Sequence, residues 1–561
     1  MEQWGEVSQN SKEVAKGSFW SLAGSLAFKL SSFVYSILLA RAASQDDIGM
    51  FQLILAIMTV ISFFSDMGIS SALVRYVPFF QGRKEPGKIK ALINISHVAL
   101  CVSSAAIMAV LWLGADMIGQ FYQNPQLPEA LRVMSAYVLL FNIFRMHYLF
   151  LQGMADIKSY QSVTNLQNLL KLALTAAAFY LFGASIFTIS VAFLLSHLLA
   201  IGVSSAKIIS LVRSLGPSRD VRAWDLLREI APFGMMMAAV QYISILLSST
   251  DRIMLGYLLE PAKALSAVAI YSYATTLAGV LMLFPYSVGG IFLPVISRLA
   301  GKGESEAAIP KAADGKRAVL PAEMTSAIET AQRWCLFLTL PIAVVMIAFS
   351  GEMLGAIFGA EYAPGAVAMA IFTFGIILNS IYYIISLALA AMRFVRIELN
   401  IALLSGALNI LLNLLLIPAY GIEGAAIASV ASFALALILS AYYGRSLFGF
   451  SFPPDMYKLL AAAVIALAVM LLIKPILLPY SSVFSLSLGG ELQGYASKIA
   501  YLAYLSLLIT ISIALFLLLA MLLKCISRED IGLMKKAMAR AMVPPSLISL
   551  AEKAALYGVK P

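Results

Sequence analysis

Charge is scarce in this sequence. Of 561 residues only 12% are Asp, Glu, Lys or Arg, while 61% are hydrophobic; an ordinary soluble domain carries roughly 25% charged residues. A soluble globular fold is excluded, and a polytopic membrane protein is implied. Cysteine is scarcer still: Cys101, Cys335 and Cys525 lie far apart, in or beside apolar runs. That spacing gives neither a disulfide framework nor a metal site, so packing is their expected role. Neither HExxH nor a Gly-rich phosphate-cradling Lys motif occurs, and no loop is large enough for a catalytic domain. A membrane glycosyltransferase or polymerase is therefore disfavoured, and no cofactor or metal is expected. The opening stretch MEQWGEVSQNSKEVAKG also lacks the apolar core and small-residue cleavage site of a signal peptide, so the first apolar segment is expected to stay in the mature protein.

What the chain has in abundance is apolar runs. About 20 residues cross a bilayer, and such runs are read at 17–40, 49–77, 91–114, 130–152, 160–182, 185–210, 230–257, 266–297, 329–350, 365–391, 397–417, 422–444, 457–476 and 499–523. An all-α fold of about fourteen transmembrane helices is predicted. The 39 Lys+Arg against 29 Asp+Glu, net +10, are scattered through short loops and form no single patch, which disfavours nucleic acid as a partner. They sort by side instead. QGRKEPGKIK (81–90), RSLGPSRDVRAWDLLRE (213–229), KGESEAAIPKAADGKR (302–317), MRFVR (392–396) and the tail from KCISRED are basic. The alternate connections, at 115–129, 351–364 and 481–494, hold acids and few bases. Positive charge marks the cytoplasmic side, so a cell-membrane protein with both termini cytoplasmic is expected, its inner stretch about 300–325 reading as a flexible linker.

The chain repeats itself. YQSVTNLQNLLKLALTAAAFYLFGASIFTISVAF (160–193) aligns without gaps on ELNIALLSGALNILLNLLLIPAYGIEGAAIASVAS (398–432) at an offset of 238, placing Lys171 on Asn409 and Gly183 on Gly421. The turns before them, QGMADIK (152–158) and AAMRFVR (390–396), match at the same offset. Two six-helix lobes in parallel repeat follow, 1–212 and 230–446, joined by a cytoplasmic linker at 213–229. A helix pair, 447–523, and a cytoplasmic tail, 524–561, are added behind them. Repeats related by an axis along the membrane normal place a substrate path between the halves.

The stretch KGSFWSLAGSLAFKLSSFVYSILLARAASQDDIGMFQLILAIMTVISFFSDMGISSALVRYVPFF (16–80) resembles the start of the Wzx-type polysaccharide flippases. DRIMLGYLL (251–259) resembles their seventh helix, and AYGIEGAAIAS (419–429) the link between their eleventh and twelfth. The resemblance extends over nearly the whole chain and is weakest at 300–330 and after 450. It implies the superfamily that also holds multidrug exporters and lipid II flippases, and with it alternating access that carries a lipid-linked oligosaccharide from the inner to the outer leaflet. In the lipid II flippases an added helix pair borders a groove for the prenyl tail, and the resemblance implies the same for 447–523.

Ionisable groups inside a bilayer are costly and face a cavity or a partner. In the first segment Ser25, Lys29, Ser32 and Ser36 fall on one face, with Lys29 near mid-membrane. Thr164, Asn168, Lys171 and Thr175 repeat the pattern in the fifth; Asn142, Arg145 and Gln152 form a line in the fourth. His97, His147 and His197 read as packing residues. Asp66, with Ser62 and Ser70, lies deep in the second segment, where it neutralises a cation, carries a proton or makes a structural ion pair. The eleventh segment shows Ser405, Asn409 and Asn413 on one face and no charge. Cations in the first lobe suit a pyrophosphate, and amides in the second suit sugar hydroxyls. The expected cavity residues are therefore Lys29, Arg145, Lys171, Asn168, Asn409 and Asn413. Expected partners are a lipid-linked oligosaccharide, membrane lipids, a coupling proton or sodium ion, and polysaccharide-assembly proteins. A cation-coupled multidrug exporter of the same superfamily is the alternative, disfavoured by the extra helix pair and the cationic set.

One pair of neighbours, Asp251 and Arg252, closes the seventh segment. Gln241, Ser244, Ser248 and Asp251 share a face, which aims Asp251 at the cavity and turns Arg252 away, to headgroups or a loop acid. Asp251 is expected to meet Arg41, at the matching end of the first segment, as an outer gate.

Overall fold

The computed structural model describes residues 2–215, 221–290, 292, 296, 322–392, 394–477 and 491–525. Among them there is no strand. The helices are α1 (Glu2–Ala42), α2 (Gln45–Asp66), α3 (Ile69–Gly82), α4 (Pro86–Phe121), α5 (Leu127–Gly153), α6 (Ile157–Phe182), α7 (Ile186–Ser214), α8 (Ala223–Leu258) and α9 (Pro261–Gly279). They are followed by α10 (Ala322–Ala348), α11 (Ser350–Ile357), α12 (Ala366–Ala391), α13 (Val395–Phe448), α14 (Pro454–Leu477) and α15 (Glu491–Leu522). The linker expected near 300–325, the connection at 481–490, the tail beyond residue 525 and the side chains of Gln241 and Ser244 lie outside the described residues.

Eleven described spans are long and apolar enough to cross a membrane. This is a multi-span, all-α membrane protein. Length and apolarity alone do not return the expected fourteen: α6 and α8 fall outside the eleven, and Val395–Leu447 is one span of 53 residues. Within α13, however, Gly421 takes φ 59° and ψ −130°, which divides it where the eleventh and twelfth segments were separated. Gly183, its repeat mate, closes α6 at φ 78°. The turns ahead of these helices agree as well, with Met154 at φ −73°, ψ 0° and Met392 at φ −85°, ψ 11°. The repeat therefore extends from residue types to backbone angles.

Two sequence boundaries shift. The linker 213–229 is helical from Ala223, where Asp225 in the first turn of α8 complements the helix dipole. The run 49–77 is two helices, broken at Met67 (φ 45°) and Gly68 (φ 83°). Asp66 and Gly68 stand at that break, but the apolar runs on either side of it read as one segment by hydropathy. Its cause is tertiary: a Cβ on Gly68 would lie 2.1 Å from the Gly234 carbonyl oxygen of α8. Helices inside a bilayer gain by close packing rather than by hydrophobic transfer, and small residues admit that approach. Gly49 does the same at the other end of α2, where a Cβ would lie 1.9 Å from the Leu265 carbonyl oxygen.

The chain divides into two compact units, Met1–Ser272 with Asn413–Gly421, and Tyr273–Leu412 with Ile422–Pro561. In the first, α4 packs on α5, α5 and α6 on α7, α1 on α6, and α2 and α3 on α8; Leu73, Val77, Phe80 and Phe150 are fully buried in its core. In the second, α10 packs on α12, α14 and α15, around Phe349, Met470 and Leu508. Ion pairs fasten both ends of α14. Asp455 in its first turn meets Arg333 at 3.7 Å. Lys474 in its last turn meets Glu352 at 3.0 Å and donates to the Ala348 carbonyl at 2.7 Å. Lys474 thus fastens the added helix.

Candidate functional site

The expected cavity residues of the first unit lie on α1, α5 and α6. Lys29 is exposed on α1, as is Ser25, one turn earlier. Arg145 and Lys171 are half-buried. The Lys171 ammonium stands 4.3 Å from the centre of the Tyr35 ring of α1, a cation–π contact worth about 0.5–2 kcal/mol according to its desolvation. Asn168 has a different geometry from the expected cavity amide. Fully buried, its Nδ2 lies 2.8 Å from the Phe28 carbonyl, 2.6 Å from Ser31 Oγ and 2.8 Å from Ser32 Oγ. Three acceptors share two hydrogens, so its donors are spent tying α6 to the α1 face next to Lys29.

Asp66 is 3% exposed. Its carboxylate accepts from the Ser70 amide at 3.2 Å and from the Ser70 hydroxyl, which caps the start of α3 beyond the break. Tyr148 lies within electrostatic reach of both Asp66 and Arg145. Asn142 donates to Ser65 Oγ at 2.6 Å and Ser104 Oγ at 3.0 Å, joining α5 to α2 and α4. Two of the three histidines are satisfied within the helix packing: His147 Nδ1 shares a 2.7 Å hydrogen bond with Ser204, and His197 Nδ1 lies 2.9 Å from the Phe193 carbonyl, while the His97 ring lies 5.7 Å from that of His147.

Asp251 forms the second focus. It is 7% exposed, and its carboxylate accepts from Tyr271 Oη of α9 at 2.5 Å and from Asn413 Nδ2 of α13 at 2.8 Å. Two residues expected in separate roles, Asp251 at a gate and Asn413 in a sugar site, are therefore direct partners. Arg41 is exposed at the end of α1. Arg252 does turn away from Asp251, but it meets Gln52 Oε1 of α2 at 3.4 Å and the Ser248 carbonyl at 3.0 Å, where headgroups or a loop acid were expected. Asn409 and Ser405, at 3% and 5% exposure, continue the α13 stripe. Sequence reasoning missed Tyr271 and Gln52. Tyr271 stands one segment after Asp251, within an apolar run, and its hydroxyl, which needs a partner when buried, was the available signal.

A family model described as "Polysaccharide biosynthesis protein" matches residues 14–300. An uncharacterized membrane protein of Methanocaldococcus jannaschii, MJ1068, is 23% identical over 449 residues, 77% of this chain and 84% of that one. A probable low-salt glycan biosynthesis flippase of Haloferax volcanii, Agl15, is 28% identical over 187 residues, 33% of this chain and 36% of that protein. Among solved structures, the lipid II flippase MurJ in an inward closed conformation superposes with a TM-score of 0.63 at 16% identity, over 87% of this chain and 98% of that one. An inward-facing multidrug resistance MATE transporter gives 0.58 at 15% identity, over 74% and 94%. The fold is similar to that of these two transporters.

Proposed function

Because the chain belongs to the polysaccharide biosynthesis protein family, we propose that it moves a polyprenyl-(pyro)phosphate-linked oligosaccharide from the inner to the outer leaflet of the cell membrane by alternating access. The observation that carries this reading is the set of cations on membrane helices of one half, Lys29, Arg145 and Lys171. A pyrophosphate requires such cations, and a cationic drug would be repelled by them. The partial relationship to a protein named as a glycan biosynthesis flippase supports the same substrate class. Buried amides on α13, Asn409 and Asn413, suit sugar hydroxyls.

In this reading Asp251 is the coupling group. A carboxylate shared between a tyrosine and an asparagine on two other helices ties the packing of those helices to its charge, and a proton or sodium ion changes that charge. Asp66 is a second candidate for coupling, and Arg41 for an outer gate with Asp251. Membrane lipids and polysaccharide-assembly proteins are the proposed partners, and both termini are placed in the cytoplasm; a cysteine at Gln123 should then react with an impermeant thiol reagent in intact cells.

The test is reconstitution in vesicles with a fluorescent polyprenyl-pyrophosphate-linked saccharide whose outward-facing fraction is quenched from outside. Wild-type protein should equilibrate the probe across the leaflets, and the Lys29→Ala, Arg145→Ala and Lys171→Ala variants should slow it about tenfold or more. A wild-type rate no higher than that of protein-free vesicles, or wild-type rates in all three variants, would overturn the reading, and ion-driven transport of cationic dyes in its place would establish the multidrug alternative.

A further inference from the structure

At three repeat-related positions the two halves differ in kind. Phe144, Tyr148 and Tyr160 form an aromatic run between α5 and α6, with ring centres 5.4 Å and 5.9 Å apart. The positions 238 residues further on hold Tyr382, Ser386 and Glu398. There the second unit replaces ring packing with a carboxylate: Glu398 Oε2 accepts from Tyr382 Oη at 3.0 Å and from Ser386 Oγ at 2.9 Å. Its other oxygen, Oε1, is shielded and has no hydrogen-bond partner among the described residues.

The two oxygens pull in opposite directions. Two hydroxyl donors, together with the first turn of α13, favour the charged carboxylate. A shielded oxygen with no donor disfavours it. Tyr382 and Ser386, both from α12, are the groups that face the carboxyl; Arg396, two positions earlier on α13, is exposed. No salt bridge to Glu398 forms among the described residues. A proton is the smallest charge that satisfies this arrangement, and Oε1 is where it adds.

We propose that Glu398 is a proton-binding site of the second unit: the proton moves between water and Oε1, and its arrival weakens the acceptor that holds Tyr382 and Ser386. Proton binding thereby loosens the joint between α12 and α13. The first unit has no equivalent, because its aromatic run carries no carboxyl. The inference rests on this hairpin alone and is independent of what the protein carries.

Infrared difference spectra of the full chain in nanodiscs, taken between neutral and acidic pH, test it without any substrate. Wild type should gain a carboxylic-acid carbonyl band that Glu398→Gln lacks, with the variant confirmed as folded by an unchanged helical circular dichroism spectrum. In Tyr382→Phe/Ser386→Ala, where the donors to the charged form are gone, the same band should appear at a higher pH. An identical set of bands in wild type and Glu398→Gln would overturn the proposal, as would a Glu398 band whose pH of appearance is untouched by the double substitution.

Discussion

Asn413 of α13 donates a 2.8 Å hydrogen bond to the carboxylate of Asp251, 162 residues earlier on α8. Tyr271 donates to the other oxygen at 2.5 Å. Hydrogen bonds to a buried charge contribute about 1.5–3 kcal/mol each. Tyr271→Phe should therefore lower stability by about that amount, read as a fall in Tm by thermal-shift measurement in detergent. An unchanged Tm would show that the bond is not formed in solution.

Asp251→Asn separates charge from shape. The amide keeps a group of the same size between Tyr271 and Asn413, so the protein should remain folded in the membrane, while the translocation rate falls about tenfold or more. Wild-type translocation by Asp251→Asn would remove Asp251 from the coupling role.

Lys171 sits over Tyr35, so its stem and its charge can be tested apart. Lys171→Met should hold the packing and lose translocation, and Lys171→Arg should retain part of it. If Lys171→Met transports as wild type does, the cation serves packing only.

Gly68 and Gly49 are predicted to be intolerant of a single methyl. Gly68→Ala adds a left-handed backbone strain to a collision with the Gly234 carbonyl, and Gly49→Ala collides with that of Leu265. Each should cost more than about 2 kcal/mol, as overpacking does at the upper part of its range, with a loss of folded protein in the membrane fraction. Gly202, on α7, has nothing within 4 Å of its added Cβ. Gly202→Ala should be neutral or stabilising by up to about 1 kcal/mol.

Asp156, between α5 and α6, gives a pH-dependent outcome. Burial pushes its carboxyl up, but hydrogen bonds from Ser159 and Lys207 outweigh that and hold it below the ordinary value. Its lowered folded-state value means that its stabilising contribution is present above the unfolded value, roughly 3.9, and is lost as pH falls through the folded one. The Tm gap between wild type and Asp156→Ala should therefore be constant near neutrality and shrink below about pH 4. A gap that persists at lower pH would assign the effect to packing.

Much of this architecture was legible where the signal is local. Periodic apolar runs gave the helices, and Gly183 and Gly421, matched by a 238-residue offset, both have positive φ. The face shared by Ser248 and Asp251 correctly set Asp251 apart from Arg252. What could not be read were meetings between distant residues. The break at Gly68 depends on Gly234, and the partners of Asp251 come from α9 and α13, at separations of 20 and 162 residues. Asn168 was recognised as polar and central, yet periodicity gives the direction of a side chain only relative to its own helix. It could not reveal that α1 waits on that side. The same repeat alignment already paired Tyr160 with Glu398, but an alignment scores likeness, and here the information lay in the mismatch.

The fastening of α14 at both ends, by Arg333 with Asp455 and by Lys474 with Glu352, has a practical consequence for measuring motion. A spectroscopic label on the exposed face of α14, at Tyr457 or Leu472, is anchored to α10 and α11 and will follow the second unit as one rigid reporter. A change in distance from such a label to one on α4, at Trp112 or Leu113, would then report on the second unit and not on an independently swinging helix.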